Sequence, residues 1–297
     1  MVQRDEMRSP VLLSVIVPAY NEEESIRGTL DDLIESLSNL AITYEIVVVD
    51  DGSEDDTPRM VSENESVTLV RHPYNMGYGA ALKTGIRKSR GRFILITDAD
   101  GSYPAREIPR LLEYKDRFDM VVAARIGENV HMPLMRRPAK FVLTKLADFL
   151  VNRKIPDLTS GMRVFKRETA QRFLNLLPSG FSFTATITLT YLCKDYSVKY
   201  VPISYSRRRG KSKINPLRDT IAFASLIVRT VTYFNPLKVF GFFAITLFCA
   251  AAAVFAWSTY FLGRLMDVTT IVLLIASVQV GLFGLLADVV TKKLDKD

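Results

Sequence analysis

The residues with the most evident chemistry are carboxylates that directly follow short apolar runs. Asp98 and Asp100 form an acidic pair after the run 93–97. In an extended segment, residues two positions apart project to the same side. Two hard oxygen ligands placed in this way suit Mg²⁺ or Mn²⁺ whose other ligands are water and phosphate. Such a pair arises often by chance, so its value as evidence for a metal site depends on the neighbouring sequence elements.

Further acidic residues strengthen this interpretation. Glu22 follows the run 13–17, and Asp50 and Asp51 follow the run 45–49. The carboxyl ends of parallel strands meet at one edge of a sheet, where open α/β sheets bind their ligands. We therefore expect these carboxylates to converge on one rim, where a cation or hydrogen-bond donors must offset their repulsion.

A glycine-containing segment, NMGYGAALKTG at 75–85, leads into a helical pattern that carries Lys83. Glycines such as Gly77 let the backbone approach a ligand, and a helix N-terminus favours an anion. The alternatives are a simple tight turn and an exposed helix lysine. The sequence has no Walker lysine motif, so a P-loop phosphate site is not predicted.

The elements that must position these groups alternate between strand and helix over the first 125 residues. The apolar runs are short and rich in Val and Ile, as in strands covered on both faces. Asn21 and the pair Thr57-Pro58 are expected to cap or start helices. The alternation predicts an α/β domain with a mostly parallel sheet and helices on both sides. The predicted strands are 13–17, 45–49, 67–70, 93–97 and 120–124, and the predicted helices are 22–40, 58–63, 80–89 and 105–114.

Beyond Arg125 the pattern changes to two amphipathic helical stretches, 136–154 and 216–235, separated by a basic segment at 207–213. The first stretch is either a solvated helix packed on the domain or a helix lying on a membrane surface. The second is expected to be an interfacial amphipathic helix.

Two uncharged runs, 239–262 and 268–287, stand near the C-terminus. As a helix the first is about 36 Å long, enough to cross a hydrocarbon core of about 30 Å. A pair of buried helices in a soluble core is the weaker alternative. Lys238 precedes the first run and a lysine cluster at 292–296 follows the second, which places both chain ends in the cytoplasm. We therefore predict a catalytic domain at 1–215, an interfacial helix at 216–235 and a transmembrane hairpin with a cytoplasmic tail at 236–297.

The composition excludes several classes of protein. The formal charge is +7, with 39 Lys and Arg against 32 Asp and Glu. This charge clusters before the predicted interfacial segments, as attraction to anionic lipid headgroups requires. There is no RNP-type or helix-turn-helix motif, so nucleic acid is not a predicted partner. Two cysteines without a CxxC and two histidines without an HExxH exclude a disulfide framework and a cysteine or histidine zinc site.

Together these motifs resemble those of the family 2 glycosyltransferases. The resemblance spans residue 14 to the C-terminus. Asp157 followed by Ser160-Gly161, the segment 210–213 and the terminal hairpin narrow it to the polyprenyl-phosphate glycosyltransferases, the group that contains dolichyl-phosphate mannose synthase. It implies a Rossmann-like catalytic domain of the GT-A type. The motifs are PAYNEE at 18–23, VVVDDGSEDDT at 47–57, NMGYGAALKTG at 75–85, DADG at 98–101 and SGMRVF at 160–165.

The resemblance also implies roles for individual residues. Asp98 and Asp100 would bind Mg²⁺ or Mn²⁺ on the diphosphate of a nucleotide sugar. Asp51, Gly77, Lys83 and Lys213 are expected among the binding residues. The nucleoside would be lined by Pro18, Tyr20 and Glu22, with Asp50 on the base or ribose. The acceptor phosphate and the sugar diphosphate would be held by Arg125, Arg136 or Arg137, Ser160 and Arg209.

The reaction can be argued from general chemistry. A phosphomonoester, with a second pKa of about 6, is largely dianionic at pH 7 and needs no general base. A metal and arginine would neutralise the leaving diphosphate. We therefore predict direct attack by a polyprenyl or dolichyl phosphate on the anomeric carbon, with inversion, on a protein that aligns two anions. Asp157 is the candidate if a base is needed, and orienting the Ser160-Gly161 turn is its alternative role.

Other functions remain as alternatives. Transfer to a neutral lipid such as diacylglycerol would need a base and fewer arginines. A non-catalytic nucleotide-sugar sensor would not need the pair Asp98 and Asp100. A polysaccharide synthase is less favoured, because one hairpin cannot enclose a polymer channel. The donor, of the GDP-mannose or UDP-glucose type, and the choice between a monomer and a homo-oligomer stay open.

Overall fold

The computed structural model of the protein describes residues 10–126, 137–204, 216–263 and 268–294. Within these residues, seven strands form one sheet in the order β3-β2-β1-β4-β6-β5-β7. All neighbouring strands run parallel except that β6 is antiparallel to β4 and β5. The predicted mostly parallel α/β sheet is therefore confirmed. The strands are β1 (Leu13–Ala19), β2 (Tyr44–Asp50), β3 (Val67–Arg71), β4 (Phe93–Ile96), β5 (Met120–Ala124), β6 (Arg163–Lys166) and β7 (Val198–Pro202).

The first five strands match the predicted runs to within two residues at each end. The other two strands, β6 and β7, are absent from the prediction. The strand β6 is only four residues long and begins with an arginine, so its sequence lacks the apolar run that marks the first five.

The helices alternate with the strands and then continue to the C-terminus. The helical stretch predicted at 105–114 consists of a 3-10 turn at Ala105–Glu107 followed directly by α4. Pro109 stands in the first turn of α4, where its missing N–H costs little. The helices are α1 (Ile26–Ser38), α2 (Thr57–Ser62), α3 (Tyr78–Lys88), α4 (Ile108–Leu112), α5 (Arg137–Val151), α6 (Arg167–Phe173), α7 (Phe183–Cys193), α8 (Pro216–Phe234), α9 (Pro236–Leu262) and α10 (Val268–Leu294).

The predicted cap of the first helix is wrong. The helix α1 begins after Ser25 rather than after Asn21. Asn21 has a φ of 54°, a left-handed conformation that asparagine tolerates. Its side-chain oxygen accepts a hydrogen bond from the Glu54 N–H at 2.9 Å. Asn21 therefore ties the loop after β1 to the loop after β2. The start of α2 differs less: Asp56 is its N-cap, and Thr57 is already helical.

Both faces of the sheet are covered by separate apolar cores. One core joins the sheet to α1 and α4, with Leu33 and Ile108 fully or almost fully buried. The opposite core joins it to α3, α6 and α7, with Leu82 and Ile187 fully buried. Strands covered on both faces read as continuous apolar runs, which is why the first five were predictable.

A third apolar cluster joins α5 and α8 to α7. Ala147 and Leu150 of α5 pack in it with Leu189 of α7 and Ile227 of α8. Of the two alternatives for α5, the burial of Ala147 and Leu150 supports packing on the domain. On the same helix, Phe149 is 48% exposed.

The helices α9 and α10 form an antiparallel pair. Ser277 Oγ donates to the Ala244 carbonyl at 2.9 Å across the pair. Both helices are long and apolar enough to cross a membrane, and they leave large apolar side chains outside, with Phe243 53% and Leu286 62% exposed. Apolar exposure of this extent marks a surface that water does not normally cover.

Candidate active site

The acidic pair predicted after β4 lies at the carboxyl edge of the sheet, and each carboxylate is held by a donor. Asp98 Oδ1 accepts a hydrogen bond from the Tyr78 hydroxyl at 2.8 Å. Asp100 Oδ1 accepts one from the Ser102 N–H at 3.0 Å, and Asp100 is buried. Burial raises the pKa of Tyr78 well above its ordinary value, and Asp98 raises it further, so the hydroxyl stays a donor.

The turn at Ser160-Gly161 lies directly against Asp98. A Cβ added at Gly161 would stand 2.8 Å from Cγ of Asp98 and would overlap its carboxylate. Only glycine permits this approach. The structure thus brings together two motifs that are about 60 residues apart in the chain, as the hypothesis of one shared site requires.

The two acidic residues after β2 have different surroundings. Asp50 is fully buried, and its carboxylate accepts from the Ser53 N–H and from Arg71 Nε, both at 3.1 Å. Asp51 accepts from the backbone N–H groups of Met76 at 3.0 Å and Gly77 at 2.8 Å. Hydrogen-bond donors therefore offset part of the repulsion expected at this rim.

A buried histidine completes the surroundings of Asp51. His72 Nδ1 lies 2.7 Å from Asp51 Oδ1, and His72 Nε2 lies 2.9 Å from Thr84 Oγ1 on α3. These contacts fix the glycine-containing loop between β3 and α3. The contacts of Asp51 support a role in shaping this loop, and its predicted contact with a ligand stays a prediction.

The glycine-containing loop packs against the segment before α7. Gly77 has a φ of 102°, and a Cβ there would stand 2.6 Å from the Ser179 carbonyl oxygen. The Ala80 N–H donates to the same oxygen at 3.0 Å. Lys83 lies further along α3, where partial burial and the nearby Arg87 lower its pKa. Its predicted contact with an anion stays a prediction.

An open cleft of about 640 Å³ is lined in part by Ser53 and Arg71, which donate hydrogen bonds to Asp50. Tyr20, which is 41% exposed, lies in its lining. Pro18 is buried within β1, and Glu22 Oε2 accepts from Ser25 Oγ at 3.0 Å. Their predicted nucleoside contacts stay predictions. The cleft is lined by Tyr20, Gly52, Ser53, Glu54, Arg71, His72, Pro73, Tyr74 and Asn75.

Arg125, at the end of β5, forms a bidentate ion pair with Asp157. Its Nε and Nη2 donate to the two carboxylate oxygens at 2.7 and 2.8 Å, and its Nη2 also donates to Thr159 Oγ1 at 2.8 Å. Asp157 is almost completely buried. Such pairs are strong and fix the plane of the guanidinium. The Asp157 carboxylate is thus engaged by Arg125, and its two predicted roles, as a base or in orienting the Ser160-Gly161 turn, stay predictions.

Ser160 is fully buried and fastens the turn to β5. Its hydroxyl donates to the Ala123 carbonyl at 2.5 Å, and the Gly161 N–H donates to the Tyr103 hydroxyl at 2.6 Å. Burial raises the pKa of Tyr103. In this arrangement the hydroxyl hydrogen of Ser160 is donated to the Ala123 carbonyl. The predicted contact of Ser160 with phosphate stays a prediction.

Arg163 is the main site residue that sequence reasoning missed. It is fully buried, and its Nη1 donates to the Thr184 carbonyl at 2.8 Å and to Thr188 Oγ1 at 2.7 Å. Its Nη2 donates to the Ser160 carbonyl. Burial lowers the pKa of Arg163, but an arginine keeps its charge. The only sequence signal was its place within SGMRVF, which does not reveal burial.

The remaining predicted phosphate-binding residues lie outside the part of the chain described. Arg136, Arg209 and Lys213 fall in the undescribed segments, and Arg137 begins α5 without a described side chain. Their roles stay predictions.

Comparison with known proteins decides the family. Residues 14–174 match the family described as Glycosyl transferase family 2. The chain belongs to this family. Residues 235–292 of this glycosyltransferase match a second description, GtrB C-terminal hairpin.

Named relatives of the glycosyltransferase are about 30% identical to it over the aligned residues. It is 30% identical over 219 residues to the dolichyl-phosphate hexose transferase of Haloferax volcanii, covering 73% of this chain and 92% of that protein. It is 29% identical over 243 residues to the dolichyl-phosphate beta-glucosyltransferase of Dictyostelium discoideum, covering 74% and 73%.

Solved structures with the same fold include two synthases. The first is glucosyl-3-phosphoglycerate synthase from Mycobacterium tuberculosis in complex with Mn²⁺, UDP and glucosyl-3-phosphoglycerate, with a TM-score of 0.56, 21% identity, and 75% and 80% of the two chains covered. The second is mannosyl-3-phosphoglycerate synthase from Rubrobacter xylanophilus, with a TM-score of 0.59, 19% identity, and 75% and 73% covered. These likenesses confirm the Rossmann-like GT-A fold.

Asp98, Asp100 and Ser102 of the glycosyltransferase suit a divalent cation whose remaining ligands come from a bound substrate. Among the described residues, no group of three or more His, Cys, Asp or Glu could hold a metal. Asp98 and Asp100 supply hard oxygen donors, and the buried Ser102 hydroxyl has no hydrogen-bond partner among the described residues. Mg²⁺ typically takes one or two carboxylates and completes its shell with water and substrate phosphates.

Proposed function

We propose that this glycosyltransferase moves a hexose from a nucleotide sugar of the GDP-mannose or UDP-glucose type to polyprenyl or dolichyl phosphate, with inversion. One observation carries the proposal: the turn Ser160-Gly161 lies against Asp98 and stands three residues from the Arg125 partner Asp157. The carboxylate proposed to bind the metal and the cation proposed to bind phosphate therefore both lie close to one turn. The names of the two dolichyl-phosphate relatives support this acceptor class.

The acidic pair is proposed to hold Mg²⁺ or Mn²⁺ on the donor diphosphate. When bound, the cation supplies charge neutralisation for the leaving nucleoside diphosphate. The Asp98 carboxylate accepts a hydrogen bond from the Tyr78 hydroxyl, and the Asp100 carboxylate accepts one from the Ser102 N–H. The cleft lined by Tyr20 and Arg71 is proposed to take the nucleoside.

Arg125 is proposed to contact the acceptor phosphate. Its side chain is 19% exposed, although Asp157 and Thr159 hold its guanidinium. A preset guanidinium loses little freedom on binding a second anion, because its plane is already fixed. Asp157 is engaged by Arg125, and the dianionic phosphate needs no base. Attack by a phosphate oxygen on the anomeric carbon therefore suits these residues better than attack by an alcohol.

The helices α9 and α10 are proposed to span the membrane, with the catalytic domain and both termini on the cytoplasmic side. The two apolar runs, the lysines that flank them and the match to a C-terminal hairpin support this placement. The proposed boundaries are those predicted from the sequence: a catalytic domain at 1–215, an interfacial helix at 216–235 and a transmembrane hairpin with a cytoplasmic tail at 236–297. Anchoring in the membrane would place the carboxyl edge of the sheet near a lipid acceptor. Enzyme and acceptor would then meet by diffusion in two dimensions.

The test is transfer of labelled sugar to polyprenyl phosphate by the purified full chain in detergent. A panel of nucleotide sugars is offered with Mg²⁺ or Mn²⁺, with an EDTA control. We expect metal-dependent label in the lipid phase, reduced at least about 100-fold by Asp100→Ala. The matched control is Asp116→Ala, which removes a carboxylate that is more than half exposed and should keep full activity.

Three outcomes contradict the proposal. Folded protein that binds nucleotide but transfers sugar to no phosphate lipid would exclude this acceptor class. Label in diacylglycerol instead would favour the neutral-lipid alternative. Nucleotide binding without any turnover would favour a sensor.

A further inference from the structure

The hydroxyl that donates to Asp98 belongs to Tyr78. This residue is held at its hydroxyl by Asp98 and, through the preceding Gly77, at its backbone by Asp51. Tyr78 is the first residue of α3 and follows Gly77, whose N–H is held by Asp51. Its hydroxyl reaches Asp98 Oδ1 at 2.8 Å. A tyrosine at this place can therefore set the orientation of the carboxylate through its hydroxyl.

The ring of Tyr78 is stacked on Phe181, with centroids 5.6 Å apart and planes inclined by 16°. Phe181 is 82% exposed, so little apolar burial keeps it in place. A stacked aromatic pair is favourable beyond the burial of its apolar area. The described contact that accounts for the position of Phe181 is thus its stack on Tyr78.

The segments that carry these two rings are locked together by their backbones. A Cβ at Gly79 would stand 2.9 Å from the Gly180 carbonyl oxygen, and a Cβ at Gly77 would collide with Ser179. The Ala80 N–H donates to the Ser179 carbonyl at 3.0 Å. Because the backbones are in contact, the two rings face each other in a fixed geometry.

We propose that Tyr78 is a positioning residue that orients Asp98 for the divalent cation, and that Phe181 supports Tyr78 by stacking on its ring. This inference rests on the proposed function, because it needs a cation at Asp98. Removing a group that orients a metal ligand typically lowers metal affinity by 10- to 100-fold. The segment before α7, which contributes no carboxylate, thereby influences the metal site.

The test measures Mn²⁺ binding rather than turnover. Full-length protein in detergent is titrated with Mn²⁺ in the presence of UDP or GDP, and free Mn²⁺ is followed by electron paramagnetic resonance. Tyr78→Phe keeps the stack and removes the hydroxyl, and we expect Mn²⁺ affinity to fall about tenfold or more. Phe181→Ala keeps the hydroxyl and removes the stack, and we expect a fall of about threefold.

A matched control is Tyr44→Phe, which removes a hydroxyl that lies 3.2 Å from Ser38 Oγ at an exposed position. It should bind Mn²⁺ as the wild type does. A double-mutant cycle with Asp98→Asn separates positioning from general disruption. In that background Tyr78→Phe should have no further effect, and metal-free UDP or GDP binding should be unchanged.

The outcomes separate the two proposals. Wild-type Mn²⁺ affinity in Tyr78→Phe would overturn this inference and leave the proposed function intact. A further loss in the Asp98→Asn background would also overturn it, because Tyr78 would then act elsewhere. Absence of Mn²⁺ binding by the wild-type protein with either nucleotide would overturn the metal-dependent function and this inference together.

Discussion

The acidic half of the sheet, residues 13–104, and its basic half, residues 120–204, hold their site charges by different means. In the acidic half, Asp50 and Asp100 accept from backbone N–H groups two or three residues further on, whereas Asp51 and Asp98 accept from residues 76–78. In the basic half, Arg125 is held by Asp157, which is 32 residues away, and Arg163 by Thr184, which is 21 residues away.

The difference follows from the chemistry of the two charges. A carboxylate accepts from single N–H groups, and any tight turn offers these locally. A guanidinium is a rigid fork of donors that needs several acceptors in fixed positions. For Arg125 and Arg163 most of those acceptors come from distant segments. The basic half should therefore be more sensitive to loss of one partner.

The largest effect is expected where the basic half loses its buried partner. Asp157→Asn would leave Arg125 without its ion-pair partner at a buried position. Breaking a buried pair in this way typically costs about 3–5 kcal/mol of stability. We expect a lower midpoint of denaturant unfolding and loss of sugar transfer.

The matched control is Asp195→Asn at the Arg153–Asp195 pair, whose side chains are 42% and 88% exposed. Exposed pairs contribute about 0–1 kcal/mol, so this variant should be close to wild type. If both variants unfold at the same denaturant concentration, the contrast between buried and local partners is wrong.

The next effect concerns Gly161, one of the glycines through which the two halves meet. Gly161→Ala would place a methyl group against the Asp98 carboxylate and displace it. A displacement of about 1 Å can cost 100-fold in rate. We expect kcat/KM for sugar transfer to fall about 100-fold while the fold persists.

The control for this variant is Gly28→Ala on α1, where a Cβ meets nothing within 4 Å. Alanine at a helix interior adds up to about 1 kcal/mol of stability, so this variant should keep full activity. Unchanged turnover by Gly161→Ala would mean that Asp98 does not need its observed position.

The smallest effect is a pH dependence within the basic half. Burial tends to raise the pKa of Asp119, but hydrogen bonds from Ser197 and Lys166 outweigh it and hold that pKa below the ordinary 3.8. The stability contributed by Asp119 is therefore present above about pH 3.8 and declines as the pH falls through the lowered pKa.

We expect Asp119→Asn to lower the thermal midpoint at pH 7, and the difference from wild type to shrink in acid. Asp32→Asn on the exposed face of α1 controls for loss of charge alone. A difference that stays constant from pH 7 to pH 3 would show that the Asp119 carboxylate adds nothing as an ion.

Much of the acidic half could be predicted from the sequence, because its signals are local. Five apolar runs are strands, and the acidic residues that follow three of them meet at one edge. The hydrogen bond of Asp98 to Tyr78 and the link of Asp51 to His72 were not predictable. They depend on how the loop between β3 and α3 returns to the sheet.

The basic half was predicted less well for the same reason. The position of β6 between β4 and β5 is set by pairing with strands up to about 70 residues distant. The strand is short, and its first residue, Arg163, has a charged side chain that is nevertheless fully buried. A buried arginine is stable only when its acceptors are already in place, and a linear sequence does not show them.

The sequence by itself determined the alternation of strands and helices, the carboxylates at the sheet edge and the two apolar helices at the C-terminus. These follow from periodicity, from turn residues and from the length of uncharged runs, all of which act over a few neighbours. Only the tertiary structure decided that Gly161 meets Asp98, that Asp157 holds Arg125 and that Tyr78 stacks on Phe181. Each of these contacts joins segments that come close only when the strands have paired and the two cores have packed against the faces of the sheet.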